Sequence, residues 1–341
     1  MTGFPALARH WALGTAAVLT IGTLTPASAQ ETTLRFGTFV GPTSFLNTDI
    51  FEPWLAQIEE ASGGQLAFEI LSGGAAAKPT EVIDSVLAGI IDVGWSITSY
   101  NPGRFNAAGV SELPLLTLNP AEGSVGMAAL YDAGLLDGFD GVKVLGVGTA
   151  DVARLHMAID VTGLADFEGT KIRAAGRVLS EMLERIGATP VGMPITSVAE
   201  SLAKNVIDGA AADWFSVESF RLIDSTKTHM DLELGAPAMY LVMNQARYDQ
   251  LPDDVKALFD TYSASAFAEF WGTRLTAESN RVRDVVAQTE GHVLLEPTEA
   301  EQATWNAAAE AEIAAWTDST ANGQAVIDTY NAAVHAVREA Q

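Results

Sequence analysis

Residues 166–176 read DFEGTKIRAAG, and this stretch lies where the chain begins a second set of α/β units. The segment TKIRA predicts a strand, and residues 177–186 predict the helix that follows it. Arg173 therefore lies near the carboxyl end of a strand and is followed by two alanines and a glycine. Ligands of α/β proteins bind beyond the carboxyl ends of strands, so the stretch predicts both a fold class and a binding site.

The chain before this stretch alternates strands and helices in the same way. The predicted strands are TLRFG, QLAFEIL, IIDVGW and VKVLGVG, and the predicted helices cover residues 47–62, 79–89 and 121–136. Such alternation favours parallel α/β sheets.

The chain after residue 186 predicts further elements of both kinds. The segment SVAE, with Ser197 and Glu200, predicts a capping box that begins a helix. The segment VIDGAAADW predicts a strand that runs into a loop, and APAMYLVMN predicts a long strand that passes from one lobe into the other. No flexible linker separates the two α/β sets. The predicted fold is therefore a two-lobed α/β protein whose lobes are joined by crossing strands and packed helices.

The last third of the chain is predicted to be helical. Residues 253–290 contain no proline and only one glycine, Gly272, so they predict one very long helix or a kinked pair. The segment TEAE, with Thr298 and Glu301, predicts a second capping box, and residues 325–340 predict the terminal helix.

The first 29 residues predict an export signal that is removed from the mature protein. A short basic start at Arg9 precedes an apolar run over residues 11–24 and the small-residue segment ASA, which predicts cleavage before Gln30. The alternative is a membrane anchor, but the run of about 14 residues is shorter than the roughly 20 that a spanning helix needs. We therefore expect a protein exported to the periplasm.

The composition excludes several classes of function. The 341 residues include no cysteine, which excludes disulfides, thiolate catalysis and zinc–thiolate sites. Acidic residues number 43 against 19 basic ones, and the formal net charge is −24. A surface of this charge repels nucleic acid, so no nucleic-acid partner is predicted.

A search for catalytic, metal-binding and cofactor-binding motifs finds none. The histidines beyond the leader form no HExxH pair, and no GxSxG segment occurs. The segment GVGTAD carries Asp151 where a dinucleotide-binding fingerprint has its third glycine, and a carboxylate there would repel a pyrophosphate. No catalytic residue, metal or cofactor is predicted, and the protein is not expected to be an enzyme.

Several residues near strand ends are candidates for a ligand site. Arg173 can bind a carboxylate through two parallel hydrogen bonds, or it can be a surface cation paired with an acid. Trp214 follows the strand of DGAAAD, where an indole can close over a flat ligand or pack in the core. Phe39 and Tyr100 follow strands of the first set, and each is a candidate for the pocket or for packing. His156 is a candidate for ligand contact or for a satisfied interior histidine.

Taken together, these stretches resemble the periplasmic solute-binding subunits of tripartite ATP-independent (TRAP) transporters, the dicarboxylate-binding-protein family. The matching segments include VLAGIIDVGW, YNPGRF, LADFEGTKIRAAG, IGATPVGMPITSVAESLAKNVIDG and LVMNQARYDQLPDDVK, and they occur in the family's order. The resemblance implies a clamshell of two lobes with a long helix across both. Lobe I is expected to comprise residues 30–150 with about 240–290. Lobe II is expected to comprise about 151–239 with 291–341.

The resemblance also implies roles for particular residues and for partners. Arg173 occupies the place of the family's carboxylate-binding arginine in its GxKxR segment, and Asp213 and Trp214 lie in the loop after VIDG that lines the family's pocket. The partners implied are a small and a large integral membrane subunit, and we expect a monomer. A ligand-sensing role and an exported enzyme are the alternatives.

The loop after VIDG also bears on the ligand. Residues 210–212 are alanines, which cannot hydrogen-bond a sugar acid, so a monocarboxylate with an apolar or aromatic body is favoured. A small keto or hydroxy acid, with a cation beside Asp213 and Trp214, and a C4-dicarboxylate remain open.

Overall fold

The computed structural model describes residues 1–3 and 32–340; the predicted signal peptide and its cleavage point lie outside them, apart from the first three residues. The strands of residues 32–340 are β1 Thr32–Gly37, β2 Leu66–Leu71, β3 Val93–Ile97, β4 Val142–Thr149, β5 Arg154–Met157, β6 Lys171–Ala174, β7 Thr189–Gly192, β8 Gly209–Ala212, β9 Thr228–Met230, β10 Ala238–Asn244 and β11 Val293–Leu295. The α-helices of the same range are α1 Glu52–Ala61, α2 Val82–Leu87, α3 Pro120–Asp132, α4 Arg177–Arg185, α5 Val198–Ala203, α6 Trp214–Ser219, α7 Gln245–Asp249, α8 Asp253–Tyr262, α9 Ser265–Gln288, α10 Glu299–Ser319 and α11 Gly323–Ala340.

The strands form two sheets, so the predicted two-lobed α/β fold is confirmed. The first sheet has the order β2-β1-β3-β10-β4, and the second has the order β11-β9-β5-β8-β6-β7. Each strand predicted from the sequence is present. Four short strands, β5, β7, β9 and β11, were not predicted. The division of the chain between the lobes stays a prediction.

Both sheets are mixed, so the prediction of parallel sheets is wrong in part. In the first sheet β1 pairs in parallel with β2 and β3, whereas β10 is antiparallel to both β3 and β4. In the second sheet β6 is parallel to β7 and β8, whereas β5 is antiparallel to β8 and β9. The reason is the route of the chain. β4 leads from the first sheet to β5, and β10 returns from the second sheet, so each crossing strand enters its sheet from the opposite end.

The segment that leads from β4 to β5 and the segment that leads from β9 to β10 lie close together, and the second also contacts residues 111–112. The Ala153 N–H donates to the carbonyl of Gly235 at 2.8 Å, and the Ala236 N–H donates to the carbonyl of Ser111 at 2.7 Å. The Ser111 hydroxyl returns a hydrogen bond to the Ala236 carbonyl at 2.7 Å. Gly235 has φ +94°, and a Cβ on it would lie 2.1 Å from the backbone oxygen of Glu112. We call residues 111–112, 153 and 235–236 the strand crossing.

The long C-terminal helical segment is a pair of helices, one of the two predicted forms. The break lies at Ala264, which has φ +52° and donates its N–H to the Leu145 carbonyl at 2.8 Å. Gly272 is not the break, because it lies inside α9, where a Cβ would come within 2.7 Å of the Ala121 Cα. This glycine lets α9 cross α3 closely.

Helix α9 packs across both lobes, as the predicted fold requires. Phe267 lies against Gly146 of β4, and the Trp271 indole N–H donates to the carbonyl of Thr149 at 2.7 Å. Farther along, Val282 and Val286 pack against α6, which follows β8 of the second sheet. Helix α9 therefore contacts a strand of the first sheet and a helix that follows a strand of the second.

The two predicted capping boxes have different outcomes. At α10 the Thr298 hydroxyl accepts from the Glu301 N–H, and the Glu301 carboxylate accepts from the Thr298 N–H, so this box is confirmed. Helix α5 is also present, but the Ser197 side chain makes no capping hydrogen bond because a 3₁₀ turn over Ile195–Ser197 leads directly into the helix. Among the described residues, no helix is both long enough and apolar enough to cross the bilayer.

Candidate ligand-binding site

Four of the six predicted site residues line one cavity between the two sheets. Phe39 and Tyr100 follow β1 and β3 of the first sheet, and Arg173 and Asp213 lie at the ends of β6 and β8 of the second. Since β1 is parallel to β3, and β6 to β8, the carboxyl ends of each pair meet at one edge. The cavity therefore lies where strand ends of both sheets face each other, as the strand-end argument predicts.

Arg173 is held rigidly and has two donors left over. Its Nε donates to the Met193 carbonyl at 2.9 Å, its Nη1 to the Ala211 carbonyl at 2.8 Å, and its Nη2 to the Tyr100 hydroxyl at 3.2 Å. A guanidinium has five N–H groups, so one on Nη1 and one on Nη2 remain. The residue is 3% exposed and forms no ion pair within residues 32–340. It is thus a fixed, buried cation with no carboxylate oxygen of residues 32–340 within 4.0 Å, and the carboxyls of Asp213 and Glu112 interact with its charge at longer range.

Tyr100 connects the two lobes at this cation. Its hydroxyl oxygen accepts hydrogen bonds from Arg173 and from the backbone N–H of Ile195 at 3.1 Å. Burial raises the pKa of the phenol, while the Arg173 guanidinium opposes that rise. The phenol therefore keeps its proton at neutral pH. Because both hydrogen bonds are accepted, the O–H group can itself donate to a bound molecule.

Six aromatic side chains line the cavity. The Phe39 ring packs against three of them, with its centroid 5.0 Å from that of Trp95, 6.1 Å from that of Tyr100 and 6.5 Å from that of Phe220. The cavity volume is about 40 Å³, about three times the 10–15 Å³ that one water requires. The lining residues with aromatic side chains are Phe39, Trp95, Tyr100, Phe215, Phe220 and Trp271.

Small residues around Arg173 leave the space that the sequence suggested. Ala175, Ala211 and Ala212 line the cavity, and the Ala211 carbonyl orients the guanidinium. Gly176 has a different role, because a Cβ there would lie 2.5 Å from the Cβ of Ser99. This glycine allows the segment after β3 to approach the start of α4.

Asp213 brings a second charged group to the cavity. The residue is 8% exposed, and its Oδ1 accepts from the backbone N–H of Ser216 at 2.6 Å, which caps α6. Burial raises the pKa of this carboxyl, while Ser216 and the Arg173 guanidinium lower it. No cluster of three or more potential metal ligands occurs in the part of the chain that the structure describes.

Trp214 and His156 do not line this cavity, although the sequence made both of them site candidates. Helix α6 begins at Trp214, so its side chain points away from that of Asp213 and packs against Val282 and Val286 of α9. The His156 ring lies 4.8 Å from the Trp214 ring, and both residues are buried. Trp214 and His156 therefore lie in packed positions, which was the alternative prediction for each of them. Phe215 lines the cavity instead.

His156 is the first of three linked imidazoles. Its Nε2 lies 3.0 Å from the Ala212 carbonyl, its Nδ1 lies 2.8 Å from Nδ1 of His229, and Nε2 of His229 lies 2.9 Å from Nδ1 of His292. A carbonyl only accepts, so His156 carries its proton on Nε2, and His229 must then donate from Nδ1 and accept at Nε2. All three rings are consistent with the neutral form, and burial lowers the pKa of each.

The histidine chain predicts a loss of stability in acid. Burial and the neighbouring His292 lower the pKa of His229 to about 4, against about 6.5 in an unfolded chain. Between these values the unfolded state binds more protons, so stability is present above about pH 6.5 and is lost as pH falls toward 4. From pH 7.5 to 5.0 we expect His229 to lower the free energy of unfolding by about 2 kcal/mol.

Urea unfolding at the two pH values measures this effect. In His229→Asn the decrease between pH 7.5 and 5.0 should be about 2 kcal/mol smaller than in the wild type. His335→Asn, at an exposed position on α11, is the matched control and should leave the decrease unchanged. Equal decreases in wild type and His229→Asn would show that the three linked histidines do not cause the loss of stability in acid.

Two tryptophans are among the cavity residues that the sequence analysis missed. Trp95 lies inside β3, and Trp271 comes from α9, far along the chain. The rings of these residues lie 5.7 Å apart. Trp95 could have been inferred from the parallel strand that carries it, whereas nothing near Trp271 in the sequence indicates a cavity.

The comparisons with known proteins agree with this architecture. The family of bacterial extracellular solute-binding proteins, family 7, matches residues 36–319. A TRAP solute-binding protein from an unidentified marine microbe, described as specific for aromatic acid ligands, was solved with 3-hydroxybenzoate. It is 28% identical, with TM-score 0.84, and the match covers 89% of this chain and 98% of that one.

Two further solved structures have the same fold. A TRAP solute-binding protein from Rhodoferax ferrireducens T118, with copurified benzoate, is 26% identical over 91% of this chain and 99% of its own, with TM-score 0.85. One from Bordetella bronchiseptica, with bound mandelate, is 22% identical over 90% and 99%, with TM-score 0.83, and shows the shared fold alone. Since the family match covers most of the sequence, the chain belongs to the bacterial extracellular solute-binding proteins of family 7.

Proposed function

We propose that this protein is the solute-binding subunit of a TRAP transporter and that it captures an organic monocarboxylate with an apolar or aromatic body. The observation that carries the proposal is the buried Arg173, which keeps two N–H groups free and has no ion-pair partner among residues 32–340. A desolvated cation is costly unless an anion pairs with it, and a carboxylate can accept two parallel hydrogen bonds from a guanidinium. We therefore assign Arg173 to the ligand's carboxylate.

The cavity wall supports an apolar body for the ligand. Phe39 and the other aromatic side chains can pack on a flat ring, and Ala211 and Ala212 offer no side-chain hydrogen bond to a polyol. The relatives solved with 3-hydroxybenzoate and benzoate, at 28% and 26% identity, support the same class of ligand. We propose Tyr100, Phe39 and Asp213 as further ligand contacts.

The mechanism we propose is closure of the two lobes around the ligand. Tyr100 follows a strand of the first sheet, Arg173 belongs to the second, and the two already share a hydrogen bond. A ligand that contacts both lobes lowers the free energy of the closed arrangement and so shifts the population toward it. The protein would then deliver its ligand to a small and a large integral membrane subunit.

We further propose that the protein reaches the periplasm through a signal peptide over residues 1–29, acts as a monomer and does not turn over its ligand. Ser216 is the only aliphatic hydroxyl among the described lining residues, and no histidine accompanies it there. A serine that no histidine activates is a poor nucleophile, so the site favours binding over catalysis.

A thermal-shift panel tests the proposed function. Benzoate, 3-hydroxybenzoate, phenylacetate, succinate and gluconate are added separately to the mature protein. A ligand at a hundred times its dissociation constant adds about 2.7 kcal/mol to stability, and we expect this gain from aromatic monocarboxylates. Stabilisation by gluconate alone would contradict the proposal, as would the disappearance of added ligand over time.

A further inference from the structure

Glu112 is a buried carboxyl between the two lobes that the proposed ligand site does not use. It ends the 3₁₀ segment Ala107–Glu112, which follows β3 of the first sheet, and it is 2% exposed. Its side chain lies against the start of α4, because a Cβ on Gly176 would come within 3.3 Å of the Glu112 Oε2. Glu112 does not line the ligand cavity but a second cleft, of about 550 Å³, which the segment after β3 forms with the segments after β6 and β7 of the second sheet.

Neutral donors and cations from both sides of this cleft face the Glu112 carboxyl. The Ser99 hydroxyl faces it from the segment after β3, and the backbone N–H of Leu179 faces it from the first turn of α4. Two positive charges lie on the side of the second sheet, those of Arg173 on β6 and Arg177 on α4. The surroundings of this carboxyl therefore depend on how closely α4 approaches the segment that carries it.

The other elements that pack against residues 107–112 are α3, α11 and β10. On α3 and α11 the Glu122 carboxylate and the Arg338 guanidinium pair with each other at 2.8 Å and hydrogen-bond to the backbone at residues 116–118. Strand β10 carries no charged side chain. The charges that shift the pKa of Glu112 are thus those of the two arginines.

The approach of the lobes changes the affinity of Glu112 for a proton. Burial raises the pKa of the Glu112 carboxyl to about 7, although the Ser99 hydroxyl and both arginines lower it. If the lobes separate, α4 leaves and water reaches the carboxyl, so its pKa falls toward the usual value of about 4.3. Between these pH values the closed form binds more protons than the open form, so a lower pH favours closure, and this advantage is lost as pH rises through 7.

A bound organic acid acts in the same direction as closure. Its carboxylate takes up the positive charge of Arg173, which otherwise lowers the pKa of Glu112. Ligand binding therefore makes the ionised form of Glu112 less favourable, even before any movement of the lobes is considered.

We propose that capture of the organic acid is coupled to the uptake of one proton, which the Glu112 carboxyl receives as the lobes close. This inference rests on the proposed function and concerns the regulation of the same site. Glu112 does not line the ligand cavity, so it is a positioning residue that acts through Arg173 and through the start of α4.

Isothermal titration calorimetry with benzoate, in two buffers of different ionisation enthalpy, counts the protons. The two pKa values predict an uptake of about 0.9 proton per benzoate at pH 6.0 and about 0.1 at pH 8.0, with about tenfold higher affinity at pH 6.0. Benzoate stays ionised at both pH values, since carboxyl groups titrate near pH 4. An uptake below about 0.3 proton by the wild type at pH 6.0 would overturn the proposal.

Glu112→Gln tests the assignment to this residue. Glutamine has the shape of the protonated glutamate and no charge, so the proton uptake should vanish and the affinity should vary less than about twofold between pH 6.0 and 8.0. At pH 8.0 the variant should bind benzoate at least about tenfold more tightly than the wild type, because closure no longer buries a charge. A glutamate with a merely structural role predicts weaker binding instead, and that result in a variant with an unchanged circular dichroism spectrum would contradict the proposal.

Asp151→Asn is the matched control, because Asp151 is a second buried carboxyl whose pKa burial and Asp213 raise to about 7. This variant should keep the wild-type proton uptake. Loss of the uptake in Asp151→Asn, with its retention in Glu112→Gln, would place the proton elsewhere and overturn the proposal.

Two outcomes separate this inference from the proposed function. If benzoate binds and depends on Arg173 but no proton is taken up, only this inference fails. If neither benzoate nor any other acid of the thermal-shift panel binds, the proposed function fails and this inference fails with it.

Discussion

Replacing Arg173 with alanine is expected to lower the affinity for the organic acid a hundredfold to several-thousandfold, while the fold remains intact. Removing one partner of a buried ion pair costs about 3–5 kcal/mol, which corresponds to this range at about 1.4 kcal/mol per factor of ten. The guanidinium is buried and held by three hydrogen bonds, and no other basic side chain is among the described residues that line the cavity. Isothermal titration calorimetry with an acid from the thermal-shift panel measures the loss.

Two variants serve as controls for this prediction. Arg173→Lys should also bind poorly, since an ammonium keeps the charge but loses the planar arrangement of two donors. Arg177→Ala is the matched control, because Arg177 lies on α4, half exposed, and pairs with Glu181 at 2.9 Å. It should bind almost as the wild type does. An Arg173→Ala affinity within about fivefold of wild type would place the carboxylate elsewhere.

Replacing Gly235 with alanine is expected to lower the free energy of unfolding by about 2–5 kcal/mol. The residue has φ +94°, a conformation that strains a residue with a Cβ, and that Cβ would lie 2.1 Å from the Glu112 oxygen. Strain of about 1–2 kcal/mol from the backbone adds to about 1–3 kcal/mol from overpacking. The clash is with backbone atoms of the strand crossing, so no side-chain rotation relieves it.

Urea unfolding of the purified variant gives this change directly. Gly192→Ala is the matched control, because no atom lies within 4 Å of its added Cβ and its φ is not in the positive range. That variant should unfold within about 0.5 kcal/mol of the wild type. A loss below about 1 kcal/mol in Gly235→Ala would mean that the backbone segments of the strand crossing can move apart with little change in the free energy of unfolding.

The sequence predicted the longer elements of the fold because their local patterns are strong. Strands β5, β7, β9 and β11 have three or four residues each, too few to show an alternation of their own. The break at Ala264 carries no glycine or proline, and it depends on a hydrogen bond to Leu145 that only the folded sheet supplies. Distant contacts of this kind are absent from a local pattern.

Strand ends account for the predicted site residues that the structure brings together. Phe39, Tyr100, Arg173 and Asp213 come to one cavity because the carboxyl ends of their strands meet there. Trp214 comes one residue after Asp213, but a helix begins at that residue and turns the indole toward α9. Whether the four cavity residues bind the ligand stays a prediction until the variants are measured.

The central position of β10 has a consequence for the order in which this chain can fold. β10 separates β3 from β4 in the first sheet, yet β5 to β9 of the second sheet precede it in the sequence. During synthesis β3 and β4 therefore have no strand between them until residue 244 has emerged, and their edges stay open to wrong pairing. Contacts so distant in sequence make folding slow. A ribosome-bound chain that ends before Ala238 lacks β10, so its first sheet should be incomplete even when β5 to β9 of the second sheet are present.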